Sequence, residues 1–229
     1  MKNIPIVFLI AVFALTSCKQ KKSQNNNSLV VEGKIKGLRL GSLLLKKMEN
    51  DSVVSIDSVK IDGNEHFQIK TSIDQPQELM LEMPEIKDGR ILFFAAPGDT
   101  VKIYTFLESF GVNPVIIGGE NQEKLNEYND MMRKFNDKEL DLFKARFEAA
   151  QSHNQKLMDS LEKASERLQK KKQLYKLNFI FTHKNLPVAG YLGYTEFYNN
   201  KKALDTIYKI LNDTVKRQLY GEKIKELIQ

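Results

Sequence analysis

The sequence has a single cysteine, Cys18, and three histidines, His66, His153 and His183. A dithiol redox site needs two cysteines in one fold, so the sequence excludes thiol–disulfide exchange by such a site. No two histidines stand at the spacing of metal ligands, and the sequence has neither a Gly-x-Ser-x-Gly motif nor a phosphate-binding loop. We therefore predict no catalytic residue, no metal site and no cofactor, in a protein that is not an enzyme.

The sequence also lacks an apolar run of the ~20 residues that a membrane-spanning helix needs. The apolar segment from Ile4 to Leu15 is shorter than that and follows a basic residue, Lys2. These are the length and the flank of a secretory signal peptide. Residues 1–17 are therefore predicted to be a signal peptide.

The signal segment ends in Leu15-Thr16-Ser17-Cys18. An aliphatic residue, two small residues and a cysteine resemble the lipobox of bacterial lipoproteins. This resemblance implies that Cys18 receives a diacylglycerol thioether and becomes the mature N-terminus, which anchors the protein to a membrane. The alternative is an unmodified cysteine behind an ordinary secretory signal.

Residues 18–28 are predicted to be a flexible tether, because the stretch from Lys19 to Ser28 is basic and polar without one apolar residue. No acidic residue directly follows Cys18. By resemblance to lipoprotein sorting signals, this favours the periplasm-facing leaflet of the outer membrane. The formal net charge is +6, but an exported chain whose lysines do not alternate with aromatics is not expected to bind nucleic acid.

Residues 29–118 alternate short β-branched and aromatic segments with turn residues about every ten positions, which is typical of an antiparallel sandwich or open barrel. Asp62-Gly63-Asn64 and Pro97-Gly98-Asp99 are predicted to be hairpin turns. About eight strands are expected, near Leu29–Lys36, Ser42–Met48, Val53–Ile61, Phe67–Ser72, Glu78–Met83, Ile91–Ala96, Thr100–Tyr104 and Val112–Ile117.

Residues 119–229 are predicted to be a helical domain, since after Gly119 no proline occurs until Pro187. Asn121 is the expected N-cap of the first helix, and residues 151–154 are the expected turn between two long antiparallel helices that pair as in a coiled coil. Three shorter helices are expected at Val188–Tyr198, Lys201–Leu211 and Thr214–Ile228. The predicted fold class is therefore α+β.

Several of these motifs follow one another in a recognisable order: Val31-Glu32-Gly33-Lys34-Ile35, repeated Asp-Ser-Val, Asp62-Gly63-Asn64 before Phe67, Phe93 with Pro97-Gly98-Asp99, and Gly118-Gly119 before the helices. This order resembles an N-terminal domain of unknown function in bacterial lipoproteins of the thioredoxin-like, peroxiredoxin (AhpC/TSA) and TlpA class. In that family a thioredoxin-fold domain with a Cys-x-x-Cys site follows, whereas this sequence ends at Gln229. The resemblance implies an accessory region without the redox domain, and no catalytic residues within it.

Three weaker candidates have simpler structural interpretations. Glu78, Glu82 and Glu85 are close enough in sequence to form an acid/base pair, but an alternating strand places the first two on a solvated face. Gly118-Gly119 precedes a helix and is an anion site or, far more commonly, a plain turn. Four aromatic residues at helical spacing line a pocket or, more commonly, pack in a core: Tyr191, Tyr194, Phe197 and Tyr198.

Asp followed by Ser or Thr and an aliphatic residue recurs six times in the sequence. The pattern resembles the O-glycosylation acceptor of exported proteins in one group of bacteria, but Asp-Ser and Asp-Thr also start turns and cap helices. The candidate acceptors are Ser52, Ser58, Thr100, Ser160, Thr206 and Thr214.

Together these features predict a lipid-anchored envelope protein that acts as a non-catalytic binding or scaffolding module. Its expected partner is another envelope protein or a second copy of the chain. The alternative is an accessory subunit that works with a separately encoded thiol-disulfide oxidoreductase, or that binds a small apolar ligand between the two domains.

Overall fold

A computed structural model describes residues 27–50 and 52–229, in which eight strands are followed by six α-helices. The strands are β1 (Ser28–Lys36), β2 (Leu40–Glu49), β3 (Ser52–Asp62), β4 (His66–Ser72), β5 (Gln77–Glu82), β6 (Arg90–Ala95), β7 (Thr100–Phe106) and β8 (Val115–Ile117). They form two four-stranded sheets in the orders β4-β1-β7-β8 and β3-β2-β5-β6. The predicted α+β fold and the number of strands are confirmed.

The two sheets enclose one hydrophobic core, as in a β-sandwich. Alternation along each strand accounts for it: Val101 and Ile103 on β7, and Leu79 and Leu81 on β5, are buried while their neighbours face outward. Residues of both sheets contribute to this cluster, including Val31, Leu43, Ile69 and Phe93. Burial of these side chains is what holds the sheets together.

One strand pair departs from the antiparallel expectation, because β1 and β7 run parallel. Gly33 lies opposite Ile103 in this pair, and a Cβ at position 33 would stand 1.8 Å from the Ile103 carbonyl oxygen. The two backbones approach so closely that no larger residue fits. The glycine in the Val31–Ile35 motif is therefore explained by strand packing.

The two predicted hairpins are wrong, although both segments are turns. Gly63 and Gly98 have positive φ values of 75° and 94°, as turn glycines do. However, β3 and β4 lie in different sheets, and so do β6 and β7. Each turn therefore carries the chain from one sheet to the other. After the first turn, the Glu65 carbonyl accepts a hydrogen bond from the Ile35 N–H of β1, which is in the other sheet.

The helices are α1 (Glu120–Gln151), α2 (Gln155–Thr182), α3 (Pro187–Phe197), α4 (Lys201–Ile210), α5 (Asp213–Lys216) and α6 (Leu219–Ile228). The predicted break between α1 and α2 is confirmed. His153 adopts a left-handed conformation there, with φ of 52°, and the Asn154 side chain accepts a hydrogen bond from the Leu157 N–H at 3.1 Å. This N-cap starts α2. The turn reverses the chain, so that α2 packs alongside α1.

Two helix boundaries differ from expectation. Gly119, not Asn121, is the N-cap of α1, and the Asn121 side chain accepts a hydrogen bond from the Val188 N–H of α3 instead. The last predicted helix is divided into α5 and α6, with Gln218 as the N-cap of the second. A contact partner 67 residues away thus decides the role of Asn121.

The helices have a second core, which packs against the sheet that contains β5 and β6. Phe94 of β6 belongs to this helical core, together with residues such as Tyr128, Ile180, Leu192 and Ile224. Within α1, no residue between Tyr128 and Ala149 is fully buried. The base of the α1–α2 hairpin, near Tyr128, is therefore held on the sandwich. Its distal half, which extends from there to the turn between the two helices, packs mainly on itself.

Candidate interaction surfaces

The junction between the sandwich and the helices is built around Glu78. Its neighbour Leu79 points into the sandwich core, so Glu78 faces the other way, toward α3 and α6. The Tyr191 hydroxyl donates to the Glu78 carboxylate at 2.5 Å, and the Glu78 N–H donates to the Tyr220 hydroxyl oxygen at 3.1 Å. The expected solvated face is therefore wrong at this position, because helices cover it.

The other two acids of the predicted trio have separate partners. Glu82 forms a salt bridge with Lys46 at 2.8 Å, and Glu85 accepts a hydrogen bond from the Ser42 N–H at 2.9 Å. Nothing in these contacts joins the three carboxylates into an acid/base pair. Their roles in the fold are structural.

Burial raises the pKa of the Glu78 carboxyl above its ordinary value, and the hydrogen bond from Tyr191 partly offsets that rise. Burial also raises the pKa values of Tyr191 and Tyr220, so both phenols keep their protons and Tyr191 remains a donor. A carboxyl group with a raised pKa favours the folded state while it is protonated. Its contribution is lost as the pH rises from the unfolded value through the folded one.

Glu78→Gln is therefore expected to stabilise the protein relative to wild type at neutral pH and to have little effect near pH 4. Glutamine keeps an acceptor for Tyr191 but carries no charge to desolvate. The difference in free energy of unfolding between the two proteins, from urea titrations between about pH 4 and pH 8, should grow with pH and then level off. A difference that is constant with pH would contradict this account.

The matched variant Tyr191→Phe removes the donor alone. We expect a loss of about 1.5–3 kcal/mol at neutral pH, the usual range for a hydrogen bond to a charged group. The decline of stability with pH should also become steeper, because the hydrogen bond that lowers the Glu78 pKa is gone. An unchanged pH profile would show that the contact does not control this carboxyl.

Phe94 and Gln122 belong to the same junction, since Phe94 lies opposite Glu78 in the β5–β6 pair. The Phe94 ring packs against Tyr191 and Tyr220, with centroid distances of 5.5 and 6.2 Å. The Phe94 N–H donates to Gln122 Oε1 at 2.6 Å, and Gln122 Nε2 donates to Asn126 at 2.7 Å. Both Phe94 and Gln122 are almost fully buried. The start of α1 is therefore attached to the sheet by buried contacts and hydrogen bonds.

The aromatic residues of α3 pack in the helical core, as the simpler interpretation predicts. Tyr191 and Tyr194 both contact the Tyr220 ring, and Phe197 is buried. Tyr198 stacks edge-on against Tyr194 and stays half exposed. These side chains hold α3 and α6 together and do not form the walls of an open ligand site.

Of the two glycines before α1, Gly119 lies against an acidic side chain and Gly118 against Gln122 and Val101. A Cβ at Gly119 would stand 2.5 Å from an Asp99 carboxylate oxygen, which also lies near the start of the helix. The second Asp99 oxygen accepts a hydrogen bond from the Ala96 N–H at 2.8 Å. A carboxylate at a helix N-terminus is favourable by itself. The turn interpretation therefore suits Gly118-Gly119 better than an anion site.

The histidines occupy unrelated places. His66 and His153 are exposed, and His183 Nδ1 lies 2.9 Å from the Phe179 carbonyl oxygen at the end of α2. Across residues 27–50 and 52–229, no group of three or more His, Cys, Asp or Glu residues is arranged to hold a metal ion.

A polar cleft of about 520 Å³ lies between one end of the sandwich and the segment from Arg217 into α6. Its walls carry both signs of charge, from Lys47, Glu49, Asp74, Arg217, Glu222 and Lys223. Gln75, on the sandwich side of the cleft, accepts a hydrogen bond from the Leu219 N–H at the start of α6. A charged lining of this kind does not fit the small apolar ligand that was one of the alternatives from the sequence.

The distal half of the α1–α2 hairpin exposes several large apolar side chains on α1. Leu140, Phe143 and Phe147 stand three and four residues apart on one face of α1 and are 51%, 68% and 59% exposed. A groove of about 410 Å³ runs between this face and α2, where Ser165 and Gln169 complete its walls. This group of exposed apolar side chains is the candidate interaction surface of the hairpin.

One salt bridge and two hydrogen bonds join the two hairpin helices near this face. Lys172 of α2 pairs with Glu139 at 3.0 Å and donates to Asn136 at 2.8 Å. Gln169 donates to the same Glu139 carboxylate at 2.8 Å. These contacts hold α1 against α2 at the position of the exposed apolar face.

The six candidate acceptors for O-glycosylation are all exposed: Ser52, Ser58, Thr100, Ser160, Thr206 and Thr214. Some already serve local structure, as the alternative interpretation predicts. The Asp57 carboxylate accepts from the Ser58 N–H at 2.7 Å, and the Thr206 hydroxyl donates to the Lys202 carbonyl at 3.1 Å. Modification of these residues stays a prediction.

The predicted signal peptide, Cys18 and nearly all of the tether lie outside the residues that the structure describes. Among the helices that it does describe, none is long and apolar enough to cross a membrane.

Residues 29–125 match the family model of a domain of unknown function, DUF4369. The expectation of such a domain is therefore confirmed for this region. The match extends past the last strand into α1, as far as the buried residues Gln122 and Leu125 that contact the sandwich junction. A comparison with curated proteins gave no match.

Proposed function

We propose that this protein is a non-catalytic binding or scaffolding module of the bacterial envelope. It is held by lipid on Cys18 to the periplasm-facing leaflet of the outer membrane. The observation that carries the proposal is the exposed apolar face of α1, which a buried junction fixes to the sandwich. The single cysteine supports the non-catalytic part, because no dithiol site can form.

The domain division supports the same proposal. In this proposal the sandwich at residues 29–118 is the support, and the helical domain at residues 119–229 carries the exposed face. The resemblance to the accessory region of thioredoxin-like lipoproteins fits a role in assembly and not in chemistry. A protein on a lipid anchor needs only to present such a face to neighbours in the same membrane.

Chemical crosslinking in the native envelope, followed by purification of the tagged chain, tests this function. We expect a specific protein, or a second copy of the chain, to be retained. A monodisperse monomer that retains nothing under the same conditions would contradict it.

The second candidate is an accessory subunit of a separately encoded thiol-disulfide oxidoreductase. The observation that favours this candidate is the polar cleft beside α6, which would be the binding site for the partner. Its charged walls would suit a polar segment of a partner protein. Crosslinks to an oxidoreductase that map to Lys47 or Lys223 would favour this alternative over docking through the hairpin.

A further inference from the structure

The exposed apolar face of α1 is bordered by charges in a regular arrangement. Asp137 and Lys144 are seven residues apart, which is about two helical turns, and they lie along one border. Glu139 and Arg146 have the same spacing along the other border. On both borders the acid precedes the base, so the face is acidic at one end and basic at the other.

Three of these four charges form no salt bridge with the described part of the chain. Glu139 pairs with Lys172, but no salt bridge within residues 27–50 and 52–229 includes Asp137, Lys144 or Arg146. All three are exposed. They are therefore available to a partner with the opposite order of charges.

A second copy of the same helix, running antiparallel, has that opposite order. Residues on the same border face each other across an antiparallel pair, so Asp137 meets Lys144 of the second copy and Glu139 meets its Arg146. The same alignment places Leu140 against Phe143 of the second copy. A two-fold axis repeats every one of these contacts, as a self-complementary interface requires.

We propose that the face formed by Leu140, Phe143 and Phe147 binds a second copy of this chain, so that two hairpins form an antiparallel four-helix arrangement. This inference rests on the proposed function and names its partner. Two-helix hairpins commonly complete their cores in this way.

The available area makes the dimer reversible. The distal hairpin measures about 25 Å by 20 Å, since each helix is about 10 Å wide and rises 1.5 Å per residue. That gives about 500 Å² per copy and about 1,000 Å² in total, at the lower limit for a specific interface. Attachment of both copies to one membrane would favour their association by raising the local concentration.

The experiment uses two full-length chains with different tags, coexpressed and solubilised from the membrane in detergent. The first tag should retain the second in the wild-type protein. Phe143→Glu should abolish retention, because it buries a charge at the centre of the interface. Asp137→Lys should weaken association about tenfold or more, since the two-fold axis creates the like-charge contact twice.

A charge exchange distinguishes a second copy from any other partner at this face. Asp137→Lys combined with Lys144→Asp exchanges both charges and should restore retention, whereas binding of a different protein would not be rescued by this change. Asp141→Lys is the control, because it makes the same change of charge about 130° around the helix from the apolar face. Unchanged circular dichroism would show that each variant is folded.

The outcomes distinguish the dimer from the binding function. If the wild-type chains fail to retain each other, or if the double exchange fails to restore retention, the second copy is not the partner. If another protein then crosslinks to the hairpin, the binding function stands without the dimer. If the hairpin crosslinks to nothing, both are wrong.

Discussion

Replacing Cys18 with alanine is expected to abolish lipid attachment and to move the protein from the membrane fraction to the soluble periplasmic fraction. Cys18 is the only thiol in the sequence, so no second residue can take the thioether. Each buried methylene contributes about 0.8 kcal/mol, and the acyl chains of a lipoprotein together exceed the hold of one myristoyl chain many times over. Loss of the cysteine should therefore have an almost all-or-none effect.

Ser17→Ala is the control for this experiment, because it keeps a small residue before the cysteine. Intact mass of the protein purified from its native host should show lipid on the wild type and on this control. Wild-type protein without lipid, or Cys18→Ala protein that stays in the membrane although its signal peptide has been removed, would contradict the anchor. Lipid as the only added mass would exclude modification of the Asp-Ser/Thr sites, and additional mass would be traced to its residues by peptide mapping.

Phe94→Ala is expected to lower the free energy of unfolding by about 3–5 kcal/mol, the usual range for removal of a fully buried phenylalanine. Phe94 is 0% exposed and belongs to the helical core although it lies on a strand. Its loss leaves a cavity between Tyr191 and Tyr220 and weakens the contact between sheet and helices. Urea unfolding followed by circular dichroism measures the change.

Leu92→Ala is the matched control, since Leu92 lies two residues earlier on β6 and is 49% exposed. We expect its effect to be below about 1 kcal/mol, as for most exposed substitutions. Similar losses in both variants would show that Phe94 does not join the two cores.

Most of the strands and the helical hairpin could be predicted because their signals are local. Alternation of Leu79, Leu81 and their neighbours identifies β5 without knowledge of its partners. The turn at residues 151–154 likewise follows from its own composition. Such patterns determine which face of an element is buried and where the element ends.

Strand pairing and the junction could not be predicted because they depend on distant residues. Turn residues at Gly63 and Gly98 reveal a reversal of the chain but not which sheet receives the next strand. Glu78 stands on the polar side of an alternating strand, and its burial depends on Tyr191, 113 residues later. The exposure of Phe143 could not be predicted from the sequence either, because an exposed apolar face and a buried one have the same helical spacing.

Site-specific photocrosslinking in the native envelope tests the central claim most directly. A photoreactive residue is placed at Phe143 or Phe147 on the hairpin, and at Leu92 or Lys70 on exposed positions of the sandwich. We expect protein crosslinks from the two hairpin positions and few from the two sandwich positions. Crosslinks from the sandwich alone, with none from the hairpin, would contradict the proposal that α1 presents the binding surface.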